Sequence, residues 1–158
     1  MALPIPSWTR PVQILLVEDN PGDAVLITTL LREHATPQSP VEIRVASDGE
    51  MATDLLFQRG IHANALPPDV VVLDLNLPKK NGLEVMGEMR NWPATKNIPV
   101  FVMTTSRSHD DILKSYALGA VSFITKPSQF SEFQNVIQRF FSVELPRVMG
   151  ALPRVCSQ

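Results

Sequence analysis

The chain has 158 residues, 44% of them hydrophobic, a net charge of -2 and one cysteine, Cys156. That length suits one domain with a full core, and the unblocked, near-neutral charge disfavours direct nucleic-acid binding or attraction to an acidic membrane. A lone cysteine excludes an internal disulfide and a thiolate metal cluster, and no apolar run approaches membrane-spanning length, so a soluble, cytoplasmic protein is expected.

Residues 1–11 hold three prolines and no long apolar stretch, which reads as an N-terminal tail rather than a secretory signal. Gln13-Ile14-Leu15-Leu16-Val17 then has the pattern of a buried strand and ends in acid, Glu18-Asp19. Asn20-Pro21-Gly22-Asp23 is a helix start, with Asn20 as N-cap, Pro21 at the first position and Asp23 favourable at the positive end. Ala24, Ile27, Leu30 and Leu31 supply one apolar face, and the turn-rich 35–40 ends the helix. Val41-Glu42-Ile43-Arg44-Val45 alternates as a strand near a sheet edge should. Ser47 to Glu50 reads as a capping box for a second helix to about Gln58, with Met51, Leu55 and Leu56 inward.

Val70-Val71-Val72-Leu73 is apolar on both faces, as a central parallel strand requires, and it stops at Asp74. A third helix is predicted from the Asn81 to Glu84 capping pattern, with Leu83, Met86 and Met89 as core filling, and Trp92-Pro93 stops it. Ile98 to Thr104 is a third buried strand ending in hydroxyls. Ser108 to Asp111 caps a fourth helix with Ile112, Leu113 and Tyr116 as its apolar residues and Gly119 at its stop. Val121 to Thr125 is the last strand and delivers Lys126-Pro127. A fifth helix from Ser128 carries Phe130, Phe133, Val136, Ile137, Phe140 and Phe141, an arc wider than sheet packing needs. With Val143, Leu145, Val148, Met149 and Leu152 following, that arc suggests a homodimer through the last helix and a C-terminal extension, 142–158, acting as a dimerisation arm. The extension is too short to build an output domain.

The order βαβαβαβαβα implies a parallel sheet with helices on both faces. Parallel strands would bring Glu18, Asp19, Asp74, Thr104 and Lys126 to one edge, where open α/β sheets hold their ligands. Three carboxylates so close need protons, a basic group or a cation to offset their repulsion, and a hard divalent ion such as Mg²⁺ with oxygen ligands fits. Lys126 and Thr104 suit the oxygens of a phosphoryl group. The carboxylate of Asp74 can serve as nucleophile or as metal ligand. His34, His62 and His109 lie far apart in sequence and read as surface residues, and Lys79-Lys80 as a solvated turn.

These residues carry a resemblance. From Val12 to Phe141 the chain is similar to the receiver domain of two-component response regulators, on Glu18-Asp19, Asp74 before Asn76-Leu77-Pro78, Thr104, Gly119-Ala120, Phe123 and Lys126-Pro127. The resemblance implies a flavodoxin-like fold of strand order 2-1-3-4-5 and a receiver domain over 12–141. It implies that Asp74 is the phosphoacceptor for a histidine kinase. Mg²⁺ would be bound by Asp19, Asp74 and the backbone carbonyl of Asn76, with Glu18 acting largely through water. It further implies that Thr104 and Lys126 contact the phosphoryl group, that Thr104 and Phe123 form a conformational switch, and that the bond before Pro127 is cis.

A finer likeness, in Leu16 to Asp23, Leu73 to Pro78, Thr104-Thr105-Ser106 and Ser115 to Ala120, is to stand-alone regulators of phytochrome-type histidine kinases. Two departures are Glu18, where the first acid is commonly Asp, and Thr105, bulkier than is usual beside the switch hydroxyl. The alternative is a phosphatase resembling the haloacid dehalogenase family, which also places an Asp nucleophile and Mg²⁺ at a strand end. That family has an acid two residues beyond the nucleophile, where this chain has Asn76. A pseudo-receiver serving only as a docking module is a third reading, opposed by the complete acid, hydroxyl and lysine set.

Overall fold

A computed structural model of the chain describes residues 8–151. Five strands form one parallel sheet in the order β2-β1-β3-β4-β5, as expected: β1 (Val12–Val17), β2 (Val41–Ala46), β3 (Val70–Leu73), β4 (Val100–Thr104) and β5 (Ser122–Thr125). The crossover helices are α1 (Pro21–His34), α2 (Gly49–Leu56), α3 (Gly82–Arg90) and α4 (His109–Ala117), and α5 (Phe130–Arg139) follows the last strand. Side chains alternate across a strand, so each central strand feeds two cores. Ile14, Leu16, Val70, Val72, Phe101 and Met103 pack one way, against Ile27 and Leu31 of α1 and Phe133 and Ile137 of α5. Leu15, Val17, Val71, Leu73, Val100 and Val102 pack the other way, against Leu55, Leu56, Val85, Met86 and Met89. No helix among the described residues is long and apolar enough to cross a membrane.

Local chemistry explains the helix ends. Asn20 caps α1 by accepting from the Asp23 N–H, and Asn81 and Glu84 form a reciprocal capping box on α3. The box expected at Ser47 shifts by one residue, because the Asp48 carboxylate accepts from the Met51 N–H at 2.7 Å and α2 starts at Gly49. That helix ends at Leu56, before Gln58, whose backbone is left-handed. The fifth helix starts at Phe130 rather than Ser128. Gly119, at φ +87, takes the left-handed turn after α4, where a β-carbon would be strained.

Two expectations change. The fourth helix does not bury its apolar residues: Leu113 is 59% and Tyr116 49% exposed, and only Ser115 is fully enclosed. Against the edge strand β5, whose residues are all half-buried, there is too little surface to cover them. Conversely, most of the broad arc after Ser128 lies inside. The helix continues through a π-helical turn (Phe140–Glu144) into α6 (Leu145–Ala151), and Phe140, Phe141, Leu145 and Met149 join the α1-side core. Pro146 cannot donate to a carbonyl one turn back, and the wider turn before it, in which the Leu145 N–H reaches the Phe140 carbonyl, absorbs that defect. The apolar residues that suggested a dimerisation arm are therefore largely this chain's own core, with Phe130 left exposed.

Packing also reaches into the expected N-terminal tail. Trp8 donates its indole N–H to the Pro40 carbonyl and lies against Phe141, while Arg10 forks onto the Asp69 carboxylate at 2.7 and 2.9 Å. His34, expected at the surface, is half-buried and stacks on Phe141. Leu152, Cys156 and residues 1–7 lie outside the described residues.

Candidate phosphoryl-accepting site

All the elements that matter end on one rim. β1 runs into Glu18 and Asp19, and the Glu18 N–H continues the ladder to the Ala46 carbonyl. β3 runs into Asp74, whose N–H bonds the Val17 carbonyl, so the two acidic strand ends are clamped side by side. Thr104 closes β4 on the neighbouring strand and is fully buried, its hydroxyl accepting from the Ser106 N–H. Lys126 follows β5, and its own N–H bonds the Thr104 carbonyl at 2.8 Å. Register between parallel strands thus converts distant sequence positions into neighbours.

Glu18, Asp19 and Asp74 each offer a carboxylate oxygen, and these atoms lie within 4.8 Å of one another. Glu18 and Asp74 are buried and Asp19 is exposed, so the cluster opens to solvent on one side. Lys126, itself buried, donates to Asp74 at 3.0 Å and pairs with Glu18 at 2.5 Å. The other Asp74 oxygen accepts the Asn76 N–H at 3.1 Å, which fixes the carboxylate plane. Burial pushes the Glu18 carboxyl up to about 7, against the lowering pull of the hydrogen bonds from Lys126 and the Asn20 N–H. Burial also works against the charge on Lys126, but hydrogen bonds to three carboxylates outweigh it and hold the ammonium above the ordinary lysine range. Lysine is therefore the charged member at neutral pH, and Glu18 the group nearest to titrating.

The donor set is all carboxylate oxygen with one open side, which fits a hard divalent cation. Asn76 stands exposed at the rim beside it. Phe123 pairs in register with Val102 and packs half-buried against the α2 and α3 side of the core. The bond before Pro127 is trans, correcting the expected cis form. The tertiary amide of an X-Pro bond favours trans by about 0.5–1 kcal/mol, and Lys126 meets its three carboxylate partners from that form.

Two residues at this site escaped the sequence reading. Asp23, whose place at a helix start suggests only a favourable charge there, accepts a hydrogen bond from Lys126 at 2.9 Å. No local spacing signals that pairing, because Lys126 stands 103 positions away in the chain. Tyr116, which the helix pattern places among the apolar residues, accepts the Phe123 N–H through its hydroxyl at 3.1 Å and so ties α4 to the outer edge of β5. An edge strand has unpaired N–H groups, and a tyrosine in the adjoining helix is a natural acceptor for one of them.

Fold and site together define a phosphoryl-handling receiver. The model for the response regulator receiver domain matches residues 14–138, and the chain belongs to that family. It is 38% identical over 138 residues to response regulator Rcp1 of Synechocystis sp., covering 87% of this chain and 92% of that protein. The Mn²⁺-bound form of Rcp1 superposes with a TM-score of 0.80, covering 85% of this chain and 95% of that one. The phosphorylated cyanobacterial phytochrome response regulator RcpA is 40% identical with a TM-score of 0.78, covering 85% and 96%. The bacteriophytochrome response regulator AtBRR is 34% identical with a TM-score of 0.66, covering 95% and 100%. The haloacid dehalogenase alternative has no support beside this, and Asn76 lacks the acid that chemistry needs.

Proposed function

We propose that the chain receives a phosphoryl group on Asp74 from the phosphohistidine of a sensor histidine kinase. The observation that carries this reading is the setting of Asp74: buried at the end of a central strand, one oxygen on the Asn76 N–H and the other on Lys126, within an acidic cluster. In the reaction an Asp74 oxygen attacks phosphorus and the P–N bond breaks, its electron pair leaving with the kinase imidazole. Mg²⁺ would be held by Glu18, Asp19, Asp74 and the backbone carbonyl of Asn76, and would supply positive charge where the phosphoryl oxygens gather. The Mn²⁺ held by Rcp1 favours a divalent ion of this kind. Lys126 and the Thr104 hydroxyl bind the transferred group. Thr104 and Phe123 then move together, because the phosphoryl group gains contacts in only one of two packings.

The kinase is proposed to be of the phytochrome type, on the likeness to RcpA and AtBRR, and the chain to act in the cytoplasm, not as an enzyme on a separate substrate. Its output would pass through a partner or a second copy. Because Leu145 and Met149 are committed to the chain's own core, exposed Leu113, Tyr116 and Val121 beside β5 are the better apolar surface for a homodimer.

Acetyl phosphate with Mg²⁺ should add one hydroxylamine-labile phosphoryl group per chain, and Asp74→Asn should abolish it. Labelling that survives in Asp74→Asn, or repeated turnover of a phosphomonoester, would overturn the reading.

A further inference from the structure

The three donor hydrogens of the Lys126 ammonium meet three carboxylates: Glu18 at 2.5 Å, Asp23 at 2.9 Å and Asp74 at 3.0 Å. Two of these belong to the cluster suited to a divalent cation, and Asp23 does not. Asp23 also differs in place. Its side chain is 32% exposed, against 1% for Glu18 and 5% for Asp74, so it forms the solvent side of the lysine's surroundings. Its backbone is fixed, since its N–H is held by the Asn20 side chain in the first turn of α1. The carboxylate is thus carried on a capped helix, turned toward a lysine 103 positions away in the chain.

We propose that Asp23 is a positioning residue for phosphoryl transfer: it holds the Lys126 ammonium at the rim and, by its own charge, sets how strongly the site discriminates among phosphodonors according to their charge. The inference rests on the reading of Asp74 as phosphoacceptor. A phosphoryl group arriving at Asp74 brings negative charge toward a lysine that Asp23 already neutralises in part, and it does so close to Asp23 itself. Both carboxylates lie within 3.0 Å of the same nitrogen. A unit charge about 6 Å away, at an effective dielectric of about 40 to 80, changes a rate or an equilibrium by roughly three- to tenfold per unit of donor charge. Dianionic donors are therefore held back more than monoanionic ones.

Asp23→Asn separates charge from geometry, because the amide oxygen still accepts from Lys126. Labelling is measured at saturating Mg²⁺ with acetyl phosphate, a dianion, and phosphoramidate, a monoanion. In Asp23→Asn the ratio of the two rates should shift toward acetyl phosphate by roughly three- to tenfold at low ionic strength, and the shift should shrink as salt brings the screening length to about 3 Å. Asp23→Glu, which keeps the charge, should retain the wild-type ratio, and Asp23→Ala should shift it as Asn does. Beryllium fluoride, an anionic phosphoryl analogue that transfers nothing, should bind Asp23→Asn several-fold more tightly than wild type. Equal acceleration of both donors, a shift indifferent to salt, or an unchanged ratio in Asn and Ala would overturn the proposal. If the wild-type chain is not labelled on Asp74 at all, the phosphoacceptor reading falls first, whereas a labelled wild type with an unmoved ratio defeats Asp23 alone.

Discussion

Glu18 shows how one buried side chain makes stability depend on pH. Its folded pKa, about 7, stands above the unfolded value of 4.5, so the folded chain holds a proton that the unfolded chain releases. That contribution is fully present below pH 4.5 and is lost as pH rises through 7. The penalty is on the order of 3 kcal/mol once Glu18 is ionised. With a chelator present, Glu18→Gln should therefore stabilise the chain relative to wild type more at pH 8 than at pH 5, as urea midpoints would show. A divalent ion needs the ionised carboxylate, so its binding should release protons and weaken below pH 7. Lys126, whose pKa is also raised, instead stabilises the fold across the neutral range, because burial is outweighed by its hydrogen bonds to three carboxylates. Replacing it with Met leaves buried Glu18 and Asp74 without their shared cation and should cost about 3–5 kcal/mol in chelator. Added Mg²⁺ should restore much of that loss.

At the scale of elements, the rim depends on close approaches between strand ends and the helices that follow them. A β-carbon on Gly82 would stand 2.5 Å from the Asp74 carbonyl oxygen, so the first turn of α3 can lie against the end of β3 only because that residue has no side chain. Gly82→Ala should push Asp74 out of place, lowering both stability and labelling. On the same face of the sheet, toward the β5 edge, α4 fully buries only Ser115, so hydrogen bonds to β5 count for more there. The Tyr116 hydroxyl is one such bond. Tyr116→Phe should cost about 0.5–1.5 kcal/mol and leave the Phe123 amide without its partner. Hydrogen exchange at Phe123 should quicken while amides in β1 and β3 stay protected. A uniform change across the sheet would instead mean that α4 carries more of the fold than its exposure suggests.

For the whole molecule, the C-terminal helix decides where the domain stops. Leu145 is fully buried among Phe140, Phe141 and Met149. Leu145→Ala should therefore cost about 2–5 kcal/mol, with a urea midpoint that does not depend on protein concentration. A contact made only in a dimer would give a concentration-dependent loss and leave the monomer's stability unchanged. For the same reason, cutting the chain after Phe141 removes core as well as any interface, and point changes at exposed Leu113 are the cleaner probe of pairing. Leu113→Asp should lower the mass in solution if α4 and β5 form the contact, while leaving the urea midpoint of the monomer nearly unmoved.

The sequence by itself determined the strand and helix order, the alternation that sorts Leu15 from Leu16 onto opposite faces, and the set Glu18, Asp19, Asp74, Thr104 and Lys126. Those features are local: apolar period, caps and the residue that ends each strand are written within a few positions of one another. What only the tertiary structure decided was partnership at a distance. Whether an apolar helix residue is buried depends on what surface meets it, so Tyr116 and Leu145 exchanged the roles their patterns suggested. Which carboxylates share the ammonium of Lys126 depends on the register of strands and on the angle at which α1 leaves β1. Asp23 joined the site for that reason, since no spacing along the chain measures a separation through space.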